Sequence, residues 1–195
     1  MEDLRAGRAP LTTVSPIFGE LVAFRMPGNF KIVTEEVKGA FYIREAVLKN
    51  ETAFHWSQMI TVTGAKGLAG NPNLNPRKMA EQIVTGFKPA CPTTFSEQSL
   101  GALTISGHDG YATLASCGTV QNGGYTHSEA ALLIFIKGAQ DYYTLQWAER
   151  GAATEASADL SDARWQDRLK TLNPILICNR VAGEPPPYPS CIQQQ

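Results

Sequence analysis

The segment from Ala131 to Gly151 constrains the fold of this 195-residue chain more than any other part. It reads ALLIFIKGAQDYYTLQWAERG, two apolar runs on either side of Gly138–Asp141. If those four residues form a loop, Lys137 faces Tyr142 and the strands pair in a fixed register. The further pairs are then Ile136–Tyr143, Ile134–Leu145 and Leu132–Trp147. These residues share one face of the hairpin, which predicts a β-sheet with a packed apolar side.

The opposite face of the same hairpin is mixed. It carries Leu133 and Phe135 on one strand and Thr144 and Gln146 on the other. Such a face is either lightly covered or available to a partner.

Composition and charge exclude several function classes. Hydrophobic residues make up 43% of the chain and charged residues 18%, which is typical of a globular protein. The 17 basic and 18 acidic residues give no positive field, so nucleic acid is not an expected partner. No apolar run approaches the roughly 18 residues of a membrane span. The opening MEDLRAGRAP lacks a secretory signal, so the chain is either cytoplasmic or its leader is missing from the sequence.

The length predicts one domain, which we place at residues 21–177. Residues 1–20 lack periodicity and are interpreted as an N-terminal arm, and residues 178–195 as a Pro-rich C-terminal tail. Strand patterns at Leu21–Pro27, Phe30–Val37 and Phe41–Leu48 predict an antiparallel meander.

The next predicted elements are a fourth strand and two helices. The strand starts near Trp56, and its alternation places Trp56 and Ile60 on one face. A helix is expected from Pro76 to about Lys88, because Asn75 can cap it and proline suits its first position. A closing helix is expected to start near Asp159 or Ser161, with an apolar face that includes Trp165, and to end before Pro174.

The four cysteines suggest two pairings. Cys178 and Cys191 bracket a segment with four prolines and little apolar surface, which a disulfide would restrain. Cys91 and Cys117 lie near strand-like runs and are either paired across a sheet or buried as free thiols. A bridge between Cys178 and Cys191 predicts a periplasmic or secreted protein, whereas reduced cysteines predict a cytoplasmic one.

Catalytic and metal-binding patterns are weak. None of His55, His108 and His127 has a recognised metal-ligand spacing, so no metal and no cofactor are expected. A nucleophile at Cys117 or Ser116 with His127 as base would require convergence in space, and no signature motif surrounds either residue. We therefore assign no catalytic residue.

Aromatic and arginine side chains supply the binding candidates. Trp56, Tyr142 and Arg150 are of the residue types that anchor protein interfaces. For Trp56, at the start of its strand, the favoured interpretation is a core residue and the interface anchor is the alternative.

The order of elements resembles the α/β/α sandwich shared by the PsbP extrinsic proteins of photosystem II and the Ran guanine-nucleotide release factor. The likeness is carried by FKIVTEEVKGAFYIREAVL, WSQMITVTG, the helix from Pro76, the hairpin ALLIFIKGAQDYYTLQWAER and the helix containing Trp165 and Leu169. WSQMITV and YYTLQWAER also look similar to bacterial proteins of this kind. The resemblance implies an α+β fold, an antiparallel sheet flanked by helices, and a non-enzymatic role.

Two hypotheses follow for function. The first is a binding or accessory domain acting through a protein partner, with neither the partner nor an oligomeric state indicated. The alternative is a hydrolase or thiol enzyme using Cys117 and His127.

Overall fold

The computed structural model describes residues 10–122, 125–161 and 163–193, and these form ten strands and three α-helices. The first five strands are β1 (Pro10–Ile17), β2 (Glu20–Pro27), β3 (Phe30–Lys38), β4 (Phe41–Leu48) and β5 (Gln58–Ala65). The elements after them are α1 (Pro76–Thr85), β6 (Phe95–Ile105), β7 (His108–Asn122), β8 (Tyr125–Lys137), β9 (Tyr142–Gly151), α2 (Arg164–Leu172), β10 (Leu176–Asn179) and α3 (Pro189–Ile192). No helix of these residues is long and apolar enough to cross a bilayer.

The strands form two antiparallel sheets. The larger has seven strands in the order β3-β4-β5-β9-β8-β7-β6, and the smaller has three in the order β1-β2-β10. The predicted α+β class, an antiparallel sheet flanked by helices, is confirmed. The β8–β9 hairpin has the predicted register from Lys137–Tyr142 to Leu132–Trp147, because a four-residue loop and a period of two leave no alternative pairing.

The inner face of the large sheet is the side that carries Leu132, Leu145 and Trp147. It packs against the small sheet and α2, and Trp165 and Leu172 of that helix are buried in this core. Trp147 is 1% exposed, as the sequence predicts. The inner face is therefore the structural core of the protein.

The outer face is the side that carries Leu133, Phe135, Thr144 and Gln146. Helix α1 covers only part of it, with Ala80 and Val84 packed near Leu133 and Phe135. The side chains of Leu133 and Phe135 are fully buried beneath this helix. Over β4 and β5 this face carries a groove instead, so the outer face is covered on one half and open on the other.

Several predicted boundaries are wrong. The fold begins at Pro10 and not at residue 21, because Pro10–Ile17 pairs along its length with β2. Its Thr, Ser and Pro residues hide the strand in the sequence, and the rest of the predicted arm, residues 1–9, lies outside the described residues. The predicted boundary of the tail falls inside β10, which pairs with β2. Strand β2 therefore belongs to the small sheet, and the meander in the large sheet is β3–β4–β5.

The helix starts are set by local chemistry. The side chain of Asn75 accepts a hydrogen bond from the Lys78 amide at 2.9 Å, as a capping residue does. The helix ends at Thr85, before the predicted Lys88, and a single 3-10 turn follows at Lys88–Ala90. Helix α2 begins at Arg164, later than Asp159 or Ser161, and ends before Pro174 as expected.

Candidate functional site

A groove of about 1160 Å³ lies on the open half of the outer face. Its floor is the large sheet, with Thr61 and Thr63 from β5 and Gln146 from β9. One wall is the connector between β4 and β5, and another is the start of β8. The groove is therefore built from segments that are far apart in the sequence and are brought together by strand pairing.

Backbone hydrogen bonds hold the connector over the sheet. The Arg150 amide donates to the Ser57 carbonyl at 2.9 Å, which ties the end of the connector to β9. Thr52 and His55 close a tight turn, in which the Thr52 amide donates to the His55 carbonyl at 3.0 Å. The His55 amide donates in return to Thr52 Oγ1 at 3.1 Å. This turn presents Phe54 to solvent.

Trp56 and Arg150 meet in the groove. The Arg150 guanidinium carbon lies 3.7 Å from the centroid of the Trp56 ring, a stacked cation–π contact. Arg150 Nε also donates to Glu129 Oε2 at 2.8 Å. The three side chains come from the connector, β9 and β8, and each orients the next. Two of the three binding residues predicted from the sequence are thus adjacent.

Trp56 lies on a different side from the one that the sequence indicated. The alternation pattern placed it with Ile60 on what is now the inner face. Strand β5 begins only at Gln58, so the alternation does not extend to Trp56. Trp56 instead packs beside the cluster under α1 and lines the groove.

Exposed aromatic rings mark the rim. Phe54 is 86% exposed and Tyr125 is 67% exposed. The ring of His55 meets Tyr125 edge to face, with centroids 5.7 Å apart. Exposed aromatic side chains at the mouth of a groove are typical of a binding surface.

The charged groups of the groove are mainly acidic. Its carboxylates are Glu45, Glu51 and Glu129, and its guanidinium is Arg150. Glu129 pairs with Arg150, whereas neither Glu45 nor Glu51 forms an ion pair within the described part of the chain. Glu51 Oε1 accepts a hydrogen bond from the Ser57 hydroxyl. His127 Nε2 lies 3.5 Å from Glu129 Oε2.

A second, smaller cavity adjoins the groove. It measures about 150 Å³ and shares Glu129 and Gln146 with the groove. Most of its remaining walls are small or apolar, namely Phe87, Ala90, Ala115, Cys117, Val120 and Ala131. It lies between the end of α1 and the sheet.

Tyr142, the third predicted binding residue, does not line this groove. It is 0% exposed and lies at the opposite end of β9, where its hydroxyl donates to the Leu74 carbonyl at 3.0 Å. Burial raises the pKa of this phenol, and the negative charge of Asp109 adds to the shift. Its surroundings show that Tyr142 anchors a loop of the fold.

The same end of the sheet holds a buried polar network. The Tyr143 hydroxyl donates to Glu20 Oε2 at 2.9 Å, and Glu20 Oε1 accepts from the Ala139 amide at 3.0 Å. Asp141 Oδ1 accepts from the Gly67 amide at 2.7 Å. Burial raises the pKa of Tyr143 above its usual range, and Glu20 and Asp141 act in the same direction. These carboxylates have backbone partners and join three loops, so they stabilise the fold.

The thiol nucleophile of the alternative hypothesis is contradicted. Cys117 forms a disulfide with Cys91, with their Cα atoms 5.6 Å apart, so it holds no thiolate. Ser116 is 2% exposed, and its hydroxyl accepts from the Ala158 amide at 2.9 Å. The described residues contain no group of three or more side chains suited to a metal ion.

The second cysteine pair is also at disulfide distance. Cys178 and Cys191 have Cα atoms 5.6 Å apart and join β10 to α3. Both pairings are those that the sequence suggested. The pair at Cys91 borders the small cavity, whereas the pair at Cys178 lies on the side of the small sheet.

Sequence reasoning missed most of the site. Phe54, Tyr125 and the acidic residues of the groove carry no motif. The available signal was weak: an aromatic pair, Phe54 and Trp56, in a connector that otherwise has little apolar character.

Comparisons with known proteins give structural matches only. No family profile matches the chain, and no curated protein matches its sequence. Similar structures include LpqN of Mycobacterium tuberculosis, involved in cell envelope biogenesis, at 12% identity and a TM-score of 0.41, covering 91% of this chain and 96% of that one. The PsbP protein CyanoP of Synechocystis sp. PCC 6803 matches at 10% identity and a TM-score of 0.45, covering 84% and 86%.

The Ran-binding protein Mog1p of Saccharomyces cerevisiae matches at 12% identity and a TM-score of 0.43, also covering 84% and 86%. A PsbP protein and a Ran-binding protein are thus among the structures to which this fold is similar, as the sequence analysis expected.

Proposed function

We propose that this domain is a non-enzymatic binding or accessory module that engages a protein partner through the outer-face groove. The observation that carries the proposal is the stack of Arg150 on Trp56 beside the exposed rings of Phe54 and Tyr125. Tryptophan, tyrosine and arginine contribute most to the affinity of protein interfaces. The side chain of Phe54 is 86% exposed, so it contributes little to the packing of the fold. Its place on an ordered turn fits a contact surface.

The site suits binding more than catalysis. Arg150 and Glu129 neutralise each other, and Cys117 is held in a disulfide. The polar side chains of the floor, Thr61, Thr63 and Gln146, are hydrogen-bonding groups without strong acid or base character. They match the needs of a main chain, which has one donor and one acceptor at most residues.

We place the protein outside the cytoplasm. Both cysteine pairs are at disulfide distance, and such bridges persist in oxidising compartments but are rare in a reducing cytosol. Alkylation of the unreduced, denatured protein from its native source, followed by peptide mapping, tests this placement. All four cysteines are expected to be protected, and full alkylation of both pairs would favour a cytoplasmic location.

Site-specific photo-crosslinking tests the groove. A benzophenone amino acid at position 54 is expected to form covalent adducts with a protein in the native source. The same amino acid at Val181 is the matched control, because Val181 is 54% exposed and follows β10 of the small sheet, which covers the inner face. Adducts from position 181 alone, or from neither position, would refute the groove as the interface.

A further inference from the structure

We infer that the groove receives an extended peptide segment with a lysine or arginine close in sequence to a large apolar residue. This inference rests on the proposed function and names the chemistry of the partner. It follows from the charge of the groove, the state of Arg150 and the adjoining cavity.

The acidic charge is local to the groove. The whole chain is almost neutral, with 17 basic and 18 acidic residues. The lining of the groove, however, includes three glutamates and one arginine. A concave surface with one sign of charge attracts the opposite sign. A basic side chain therefore complements the groove, and an acidic segment would be repelled.

Arg150 does not reverse this preference. One side of its guanidinium is stacked on Trp56, and its Nε donates to Glu129 at 2.8 Å. Its charge is thus already balanced by a carboxylate. Glu45 remains, on the floor between Thr34 of β3 and Thr61 of β5, with no ion pair in the part of the chain that the structure describes.

The charge of the groove also distinguishes a peptide from a sugar. Arg150 already occupies one face of Trp56, which leaves at most one face of that ring for a carbohydrate. A neutral sugar would in addition leave the surplus carboxylates without a counter-charge. A peptide with a basic residue satisfies both the charge and the hydrogen-bonding groups of the floor.

The small cavity supplies the second part of the recognition. Its volume is about 150 Å³. An apolar cavity of about the same volume, roughly 150 Å³, is large enough to bind benzene. It shares Glu129 and Gln146 with the groove, so one segment of chain can reach both. A phenylalanine, leucine or isoleucine side chain fits its mostly apolar walls.

Selection from a randomised decapeptide library displayed on phage tests the inference. The wild-type protein is expected to enrich peptides with Lys or Arg within about three residues of a large apolar residue. The double substitution Glu45→Gln and Glu51→Gln is expected to remove the basic preference while keeping an acceptor for Ser57. Ala90→Trp, which fills the cavity from an exposed turn, is expected to remove the apolar preference.

A synthetic copy of the most enriched peptide is then used to measure how much each substitution changes the binding affinity. Fluorescence polarisation is expected to show weakening by up to about fivefold for each carboxylate removed. Binding to the wild type is also expected to weaken as salt is added. The matched control is Glu97→Gln, an exposed carboxylate on β6, which is expected to change neither the selection nor the affinity.

Three results would overturn the inference. These are enrichment of acidic peptides, enrichment without charge preference, and binding by the groove of neutral oligosaccharides on an array in place of peptides. If position 54 still crosslinks to a protein in any of these cases, the proposed function stands and only the peptide chemistry is wrong. If position 54 forms no protein adduct, the proposed function itself fails.

Discussion

The two faces of the large sheet carry the same arrangement of side chains with different outcomes. On the inner face the Arg168 guanidinium lies 4.5 Å from the Trp147 ring, and Arg168 Nε donates to Glu149 at 2.8 Å. On the outer face Arg150 lies 3.7 Å from Trp56 and donates to Glu129 at 2.8 Å. We call Arg168, Trp147 and Glu149 the inner set, and Arg150, Trp56 and Glu129 the outer set.

The difference between the two sets is what surrounds the tryptophan. Trp147 is 1% exposed, packs edge to face on Phe30 and donates from its indole to Gln58 at 3.2 Å. Trp56 is only half-buried, and its neighbours at the groove include the exposed Phe54. The same chemistry therefore stabilises the fold where a helix covers it and is available to a partner where the sheet is open.

The largest expected effect is on the inner set. Trp147→Ala is expected to lower the free energy of unfolding by about 3–5 kcal/mol, because it removes a large buried ring and leaves a cavity. Urea denaturation followed by circular dichroism measures it. Trp56→Ala is the matched variant, and a loss as large as that of Trp147→Ala would show that the two tryptophans have the same structural role.

The two disulfides can be compared in the same way, because one lies beside the small cavity and the other lies on the side of the small sheet. Replacing Cys178 and Cys191 by serine is expected to cost about 3 kcal/mol of stability from loop-closure entropy, given a separation of 13 residues. Crosslinking from position 54 is expected to be unchanged, because this pair lies on the side of the small sheet.

The same replacement at Cys91 and Cys117 is expected to cost about 3.5 kcal/mol, since the separation is 26 residues. It is also expected to reduce crosslinking, because Cys117 lines the small cavity. If both double variants are folded and crosslink equally, the small cavity is not part of the binding site.

The outer set is tested through binding. Trp56→Ala is expected to reduce the crosslinking yield from position 54 at least tenfold, as loss of a central interface anchor does. Its cost in stability is expected to be about 1 kcal/mol, because the ring is only half-buried. Unchanged crosslinking in a folded Trp56→Ala variant would remove Trp56 from the interface.

The place of Trp147 in the inner set could be predicted from the sequence, whereas the outer set could not. The register that places Trp147 opposite Leu132 follows from local rules, namely a loop of four residues and alternation along two adjacent strands. Burial of Trp147 follows from the apolar face that this register creates. Both predictions use residues that are near each other in the chain.

The outer set depends on long-range pairing. Trp56 and Arg150 are brought together because β5 pairs with β9, with Gln58 opposite Glu149. No local pattern specifies which strand lies beside β5. Tyr142 also depends on a distant segment: its residue type favours an interface, but it is buried where its hydroxyl donates to the Leu74 carbonyl.

The smallest expected effect comes from exchanging each arginine for lysine, which keeps the charge and removes the planar group that stacks on the ring. Arg168→Lys is expected to lower the free energy of unfolding by about 1 kcal/mol, a typical value for a partly buried cation–π contact. Arg150→Lys is expected to change stability less and to weaken binding of the selected peptide about two- to fivefold, because lysine has no planar group to stack on Trp56 while it pairs with Glu129. Urea denaturation and fluorescence polarisation on both variants measure the two quantities. If Arg168→Lys weakened peptide binding as much as Arg150→Lys does, the two faces would be coupled. The division between a structural set and a binding set would then be wrong.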